Sequence, residues 1–258
     1  MSRKIIDLSV PLMSGIPSDP EDFLPHIEYV DNRAGAAQLA SAFPGLLVED
    51  LPRQEGWAVE FVRMSTHAGT HMDAPYHYHS HMDDGTPSKT IDEIPLEWCI
   101  GRGVKLDFRH LPDGYVVTAL DIENELKRIN HTLAKGDIVL VNTSAGRRYG
   151  HEGYVDSGCG MGREATLYLT NRGIHIVGTD AWSWDAPFSY TGQKFSRTKD
   201  KSLIWEGHFA GSKNPYCQIE KLANLEELPA TGFTVISLPV KVYKASAGWA
   251  RPIAIIEE

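Results

Sequence analysis

Between positions 67 and 81 the chain reads His67-Ala-Gly-Thr-His71-Met-Asp73-Ala-Pro-Tyr-His77-Tyr-His79-Ser-His81, and this stretch restricts the local backbone more tightly than any other. Its Gly-Thr interior disfavours a helix, and Pro75 can continue neither a helix nor an internal sheet ladder. The segment must therefore run extended and then turn. On an extended strand His71 and Asp73, two apart, share one face, and the Gly69-Thr70 step permits a bend that returns His67 beside them. Five of the eleven histidines fall here, where an even spread would place fewer than about one. Imidazoles and carboxylates bind borderline divalent ions, so the segment reads as a metal cradle with a spare histidine at His77. A solvated His-rich loop is the bland alternative. An engineered tag is not, because the segment is internal and interleaved with Gly, Thr, Asp and Pro. The spacing also differs from the helical His-Glu-x-x-His pair of metalloproteases.

The chain has 258 residues with a net charge of -9 and no Lys/Arg block, which disfavours nucleic acid as a partner. At 42% hydrophobic and 23% charged residues it can bury a sizeable core, and one domain spanning 1–258 is expected. Cys99, Cys159 and Cys217 are odd in number and lack a C-x-x-C pair, so a disulfide framework is not expected and a cytoplasmic location is. A charge at Asp7 interrupts the N-terminus before any apolar run develops, and no run of about 18 apolar residues follows, so neither a secretory signal nor a membrane span is expected.

Strands are expected at 4–10, 58–64 (feeding the cradle), 103–108, 137–142, 174–179, 233–238 and 252–256. Helices are expected at 119–130, with Thr118 as N-cap and Asp121 at the capping-box position, and at 163–171, closed by Gly173. Residues 217–222 read as a shorter helix, and 18–56 as a long irregular loop of the kind used for lids or oligomer arms. Strands and helices alternate through the middle third, which favours an α/β fold. The segment from Gly178 to Asp185 follows a strand directly and is a pocket candidate. Trp57, Phe61, Tyr76, Tyr78, Trp182, Trp184 and Phe188 could line a pocket, although core packing explains any one of them as well.

The pattern His67-x-Gly69-Thr70-His71-x-Asp73-x-Pro75-x-His77 resembles the signature of the cyclase-like metal-dependent hydrolases, which include kynurenine formamidases and isatin hydrolases. Gly85, Ile94-Pro95-Leu96 and the stretch from Val104 to Asp107 extend the resemblance, as do His208 and Glu220, twelve apart and followed by Asn224-Leu225. It implies a swivelling β/β/α domain with a mixed sheet, and His67, His71 and Asp73 as ligands of a divalent ion, Mn²⁺ or Zn²⁺. His77 would then be the general base or acid. Glu220 would complete the cradle, bridging to a second ion or shuttling protons. His208 would bind that second ion or polarise the substrate. Without the resemblance, His208 beside Trp205 reads as a packed histidine and Glu220 as a surface charge. Thr70 is expected to orient a ligand through its hydroxyl, and His79 and His81 to stay exposed or peripheral.

The same resemblance implies a small-molecule substrate, a metal-activated water that opens a C–N bond in a cyclic amide or aryl formamide, and a homodimer or larger homo-oligomer. The formamidases carry a tryptophan where this chain has Ile16 in Ile16-Pro17-Ser18-Asp19, and segments 20–56 and 144–160 are extra. Both favour an isatin-hydrolase-like member. The alternatives are a lactone hydrolase or cyclase acting on C–O bonds, and a non-catalytic metal- or small-molecule-binding protein.

Overall fold

The computed structural model of the chain describes residues 2–257. In chain order the strands are β1 (Arg3–Asp7), β2 (His26–Val30), β3 (Val59–Arg63), β4 (His71–Asp73), β5 (Ile100–Asp107), β6 (Val116–Val117), β7 (Ile138–Asn142), β8 (Gly160–Met161), β9 (Ile176–Thr179), β10 (Cys217–Glu220), β11 (Phe233–Ile236), β12 (Ala247–Trp249) and β13 (Ile253–Glu257). The helices are α1 (Asn32–Ser41), α2 (Ala119–Arg128), α3 (Arg163–Thr170), α4 (Phe188–Thr198) and α5 (Glu206–Phe209).

Nine strands form one mixed sheet in the order β1-β13-β11-β5-β7-β9-β10-β4-β12, while β2–β3 and β6–β8 are separate ribbons. The central run β5-β7-β9-β10 is parallel, and its neighbours on both sides are antiparallel. Parallel strands are covered on both faces, which explains the uninterrupted apolar reading of β7. Ile138 and Leu140 enter one core with Ile6, Met72, Ile219 and Val235. Val139 and Val141 enter the other, against Ile122 and Leu126 of α2 and Leu169 of α3. Beyond β1 the chain continues to Leu8, whose carbonyl accepts from Ala223 N at 2.9 Å, and Ser9 bridges to Leu222 just past β10. The sheet thus curls until its first edge meets the end of β10.

The α/β class and the mixed sheet are as expected, and α2 starts at the foreseen capping box, with Thr118 and Asp121 satisfying each other's backbone. Three elements differ. Residues 217–222 are not a helix, because Cys217 and Ile219 point into the core while the segment pairs with β9 and β4. The 18–56 region is not structureless: it holds β2 and α1, the latter capped by the Asp31 side chain. Its buried face is only Gly35, Ala36 and Ala40, too small to produce an amphipathic signal. Finally, β3 pairs with β2 alone rather than joining the main sheet, so the cradle is carried by β4 and not by the strand before it. Among the described residues, no helix is long and apolar enough to cross a membrane, and the three cysteines are free and buried.

Candidate metal centre

Strand β4 lies between β10 and β12 and is antiparallel to both. Its register sets Glu220 opposite His71 and Gln218 opposite Asp73. His71 Nε2 is 3.2 Å from Asp73 Oδ1 and 3.6 Å from Glu220 Oε2. Gly69 makes the preceding bend at φ 62°, and a side chain there would also strike Leu12 at 2.3 Å. The bend returns His67, placing its Nδ1 2.8 Å from Asp73 Oδ1. A 3-10 turn over Pro75–His77 then carries His77 Nε2 to 3.9 Å from Asp73 Oδ2. From the distant α5, His208 Nε2 comes within 3.8 Å of Glu220 Oε1. All six residues expected from the sequence therefore meet at one place.

The tautomer of His71 follows from its neighbour. Its Nδ1 lies 2.9 Å from the Gly69 carbonyl, which can only accept, so Nδ1 carries the proton and Nε2 presents a lone pair. That Nε2 has no hydrogen-bond partner, and neither does either oxygen of Asp73. The 2.8 Å approach of His67 does not aim a ring N–H at Asp73, so proximity there is not satisfaction. His71 and Asp73 are both 0% exposed. Converging buried lone pairs without donors are costly, and a cation removes the cost. Two overlapping groups, His67/Asp73/His77 and His71/Asp73/Glu220, have ligand atoms within 4.8 Å of one another and share Asp73. The donor set is nitrogen and carboxylate oxygen, which suits a divalent metal.

The electrostatics point the same way. Burial opposes ionisation of Asp73, but the three surrounding histidines hold its carboxyl well below the usual range. Burial, reinforced by the Asp73 carboxylate and partly offset by Lys221, pushes Glu220 up to about 8. The two buried carboxylates are thus pushed in opposite directions. Burial lowers His77 to about 4, with Asp73 opposing and His67, His208 and His71 adding to the fall.

Several contributors were not apparent from the sequence. Asp185 accepts from the backbone of Gly207 and His208 and from His208 Nδ1 at 2.5 Å, fixing that ring with Nε2 toward Glu220. Trp205 stacks on His208 at 4.3 Å and meets His77 edge-on at 5.1 Å. The backbone N–H of Trp184 donates to Glu220, and Ser246 Oγ lies 3.0 Å from His67 Nε2. Asp185 and Trp184 end the polar-aromatic segment flagged as a pocket candidate, which was the available signal. Thr70 orients no ligand: its hydroxyl donates to Lys221 O at 2.6 Å and accepts from Val10 N at 2.9 Å. The orienting group is the Gly69 carbonyl instead. His79 bonds to the Phe209 carbonyl and His81 to Ser80, and neither joins the cradle. Trp57, Phe61, Tyr76 and Phe188 are exposed, while Tyr78 and Trp184 are core.

Known proteins resemble this chain in sequence and in fold. The profile of the Cyclase family, described as "Putative cyclase", matches residues 6–186. The kynurenine formamidase of Erythrobacter litoralis (strain HTCC2594) is 26% identical over 190 residues, 74% of this chain and 73% of that one. That of Sphingopyxis alaskensis (strain DSM 13593 / LMG 18877 / RB2256) is 27% identical over 202 residues, 77% and 82% of the two chains. Among solved structures, an isatin hydrolase bound to the product analogue thioisatinate superposes with TM-score 0.77 at 18% identity, over 99% of this chain and 93% of that one. Isatin hydrolase A from Labrenzia aggregata gives 0.74 at 23%, over 99% and 94%. At these identities the structural likeness establishes the fold.

Proposed function

The chain belongs to the Cyclase family, and from that premise we propose that it is a metal-dependent hydrolase opening the C–N bond of a cyclic amide or an aryl formamide. The observation that carries the reading is the buried, unpartnered convergence of His71 Nε2 with both oxygens of Asp73. The relatives named kynurenine formamidase and the solved isatin hydrolases support the bond class. The neighbour described as a potential metal-dependent hydrolase with cyclase activity supports the metal.

His67, His71 and Asp73 would hold a Mn²⁺ or Zn²⁺ ion, with Glu220 completing the set and His208 and His77 flanking it. What such an ion supplies when bound is Lewis acidity, which polarises a carbonyl and brings the pKa of water toward about 7. His77, lowered to about 4, is unprotonated at neutral pH and free to accept the proton of the attacking water. It returns that proton to the leaving nitrogen, so the amide opens to a carboxylate and an amine. His208, held by Asp185 through Nδ1, presents Nε2 3.8 Å from Glu220 Oε1. Trp205 packs on both histidines, stacked on His208 and edge-on to His77. Ile16 in the N-terminal loop, where formamidases carry tryptophan, favours the cyclic amide over the formamide.

Protein stripped of metal and assayed on isatin and N-formylkynurenine, with and without restored Mn²⁺ or Zn²⁺, tests the reading. Activity should vanish on stripping and return with the ion, with isatin preferred. Full activity of the metal-free protein overturns the mechanism, and turnover confined to lactones moves the reaction to C–O bonds.

A further inference from the structure

His67 is more open to solvent than the other proposed ligands of the cradle. It lies outside β4, in the connection between β3 and β4, and its side chain is 18% exposed where those of His71 and Asp73 are 0%. Its backbone N–H donates to Ser65 Oγ at 3.1 Å, and its carbonyl is held by a residue from the far end of the chain. Lys221, the residue after Glu220, has its side chain 1% exposed, and its ammonium donates to the His67 carbonyl at 2.6 Å. The same ammonium sits 2.6 Å from Asp19 Oδ1, and the Asp19 side chain is 2% exposed. Asp19 is in turn fixed by Trp182 Nε1 at 3.0 Å and Ser18 Oγ at 3.1 Å. Lys221 adopts φ 58°, a backbone cost for an L residue that persists only where surrounding contacts impose it.

A buried lysine needs a partner, and one this near a divalent site also adds positive charge where a cation must enter. Asp19 meets both requirements, since it neutralises the ammonium without touching the cradle. The Lys221 side chain is then free to act as a fixed pin on the His67 main chain. We infer that Lys221 and Asp19 are a positioning pair that sets the His67 imidazole against Asp73, an inference that rests on reading His67 and Asp73 as metal ligands. The pair also ties the loop carrying Ile16 to the strand end carrying Glu220, so one buried contact couples the N-terminal loop to the metal site.

The test uses the full chain, stripped of metal and titrated with Co²⁺, whose visible spectrum reports the ligand set. Lys221→Met should bind the ion roughly 10–100-fold more weakly, the usual effect of losing a residue that orients a metal ligand, and its spectrum should move toward that of His67→Ala. The charge-balanced double variant Asp19→Asn/Lys221→Met should be equally impaired and keeps the test open if the single variant folds poorly. Leu126→Ala, in α2 and remote from the cradle, serves as a destabilised control with unchanged affinity and spectrum. Wild-type affinity and spectrum in the folded double variant overturn the positioning role, whatever happens to its melting temperature. A wild-type protein that binds no Co²⁺ overturns the metal reading itself, so the two failures are distinguishable.

Discussion

At the scale of single residues, the proposed reading separates holding an ion from moving a proton, and the two roles can be tested apart. His71 is buried, with its proton committed to the Gly69 carbonyl, so His71→Ala should lower metal content sharply in elemental analysis of the purified protein. His77 lies farther from Asp73 than the other two histidines, at 3.9 Å. His77→Ala should retain the ion while kcat falls roughly 10²–10⁴-fold. His81→Ala should change neither, since His81 bonds only to Ser80. Metal loss in the His77 variant with retention in the His71 variant would exchange the two roles. These residues were legible in the sequence because cradle geometry is local: three ligands and a turn lie within eleven positions. Asp19 and Lys221 were not, because an ion pair between residues so far apart in the chain leaves no trace in spacing. Asp185 was half-visible, its neighbourhood flagged but its partner His208 not.

At the scale of elements, legibility followed how much of the signal is carried by side-chain size and capping. Helix α2 announces itself by a capping box and by Ile122 and Leu126 on one face, and it forms as expected. Thr118→Ala should cost about 1 kcal/mol, and for a chain of this size should lower the melting temperature by about 2–4 °C, without altering metal content. Helix α1 was invisible because its inner face is glycine and alanine; Gly35 lies so close to the Trp57 carbonyl that a Cβ would meet its oxygen at 1.9 Å. Residues 217–222 read as a helix despite the alternation over Cys217–Glu220. Gln218 and Glu220 face the site, and without knowledge of that site buried polar residues looked like the outer face of a helix.

At the scale of the whole molecule, stability should depend on pH and on metal in separable ways. Asp180 is buried and accepts from Thr143 N at 2.9 Å and Thr143 Oγ1 at 2.7 Å, yet burial outweighs these bonds and raises it to about 7. A carboxyl raised on folding favours the native state below its unfolded pKa, and that advantage is lost as pH climbs through the folded value. Asp180→Asn should therefore flatten the fall in melting temperature between about pH 4 and pH 7 relative to wild type, whether or not metal is present. An unchanged slope would show that Asp180 does not titrate there. Adding Mn²⁺ or Zn²⁺ at a hundred times its dissociation constant should contribute about 2.7 kcal/mol of stability, read by calorimetry, and His71→Ala should abolish that increment. The curled sheet also sets a schedule for the molecule's birth. Arg3 pairs with Glu257, 254 positions later, and His67 leans on Ser246, so a growing chain displays its histidines long before anything can hold them in place. Until β12 and β13 emerge, His67 stands without its Ser246 contact and β4 without one of its two neighbours.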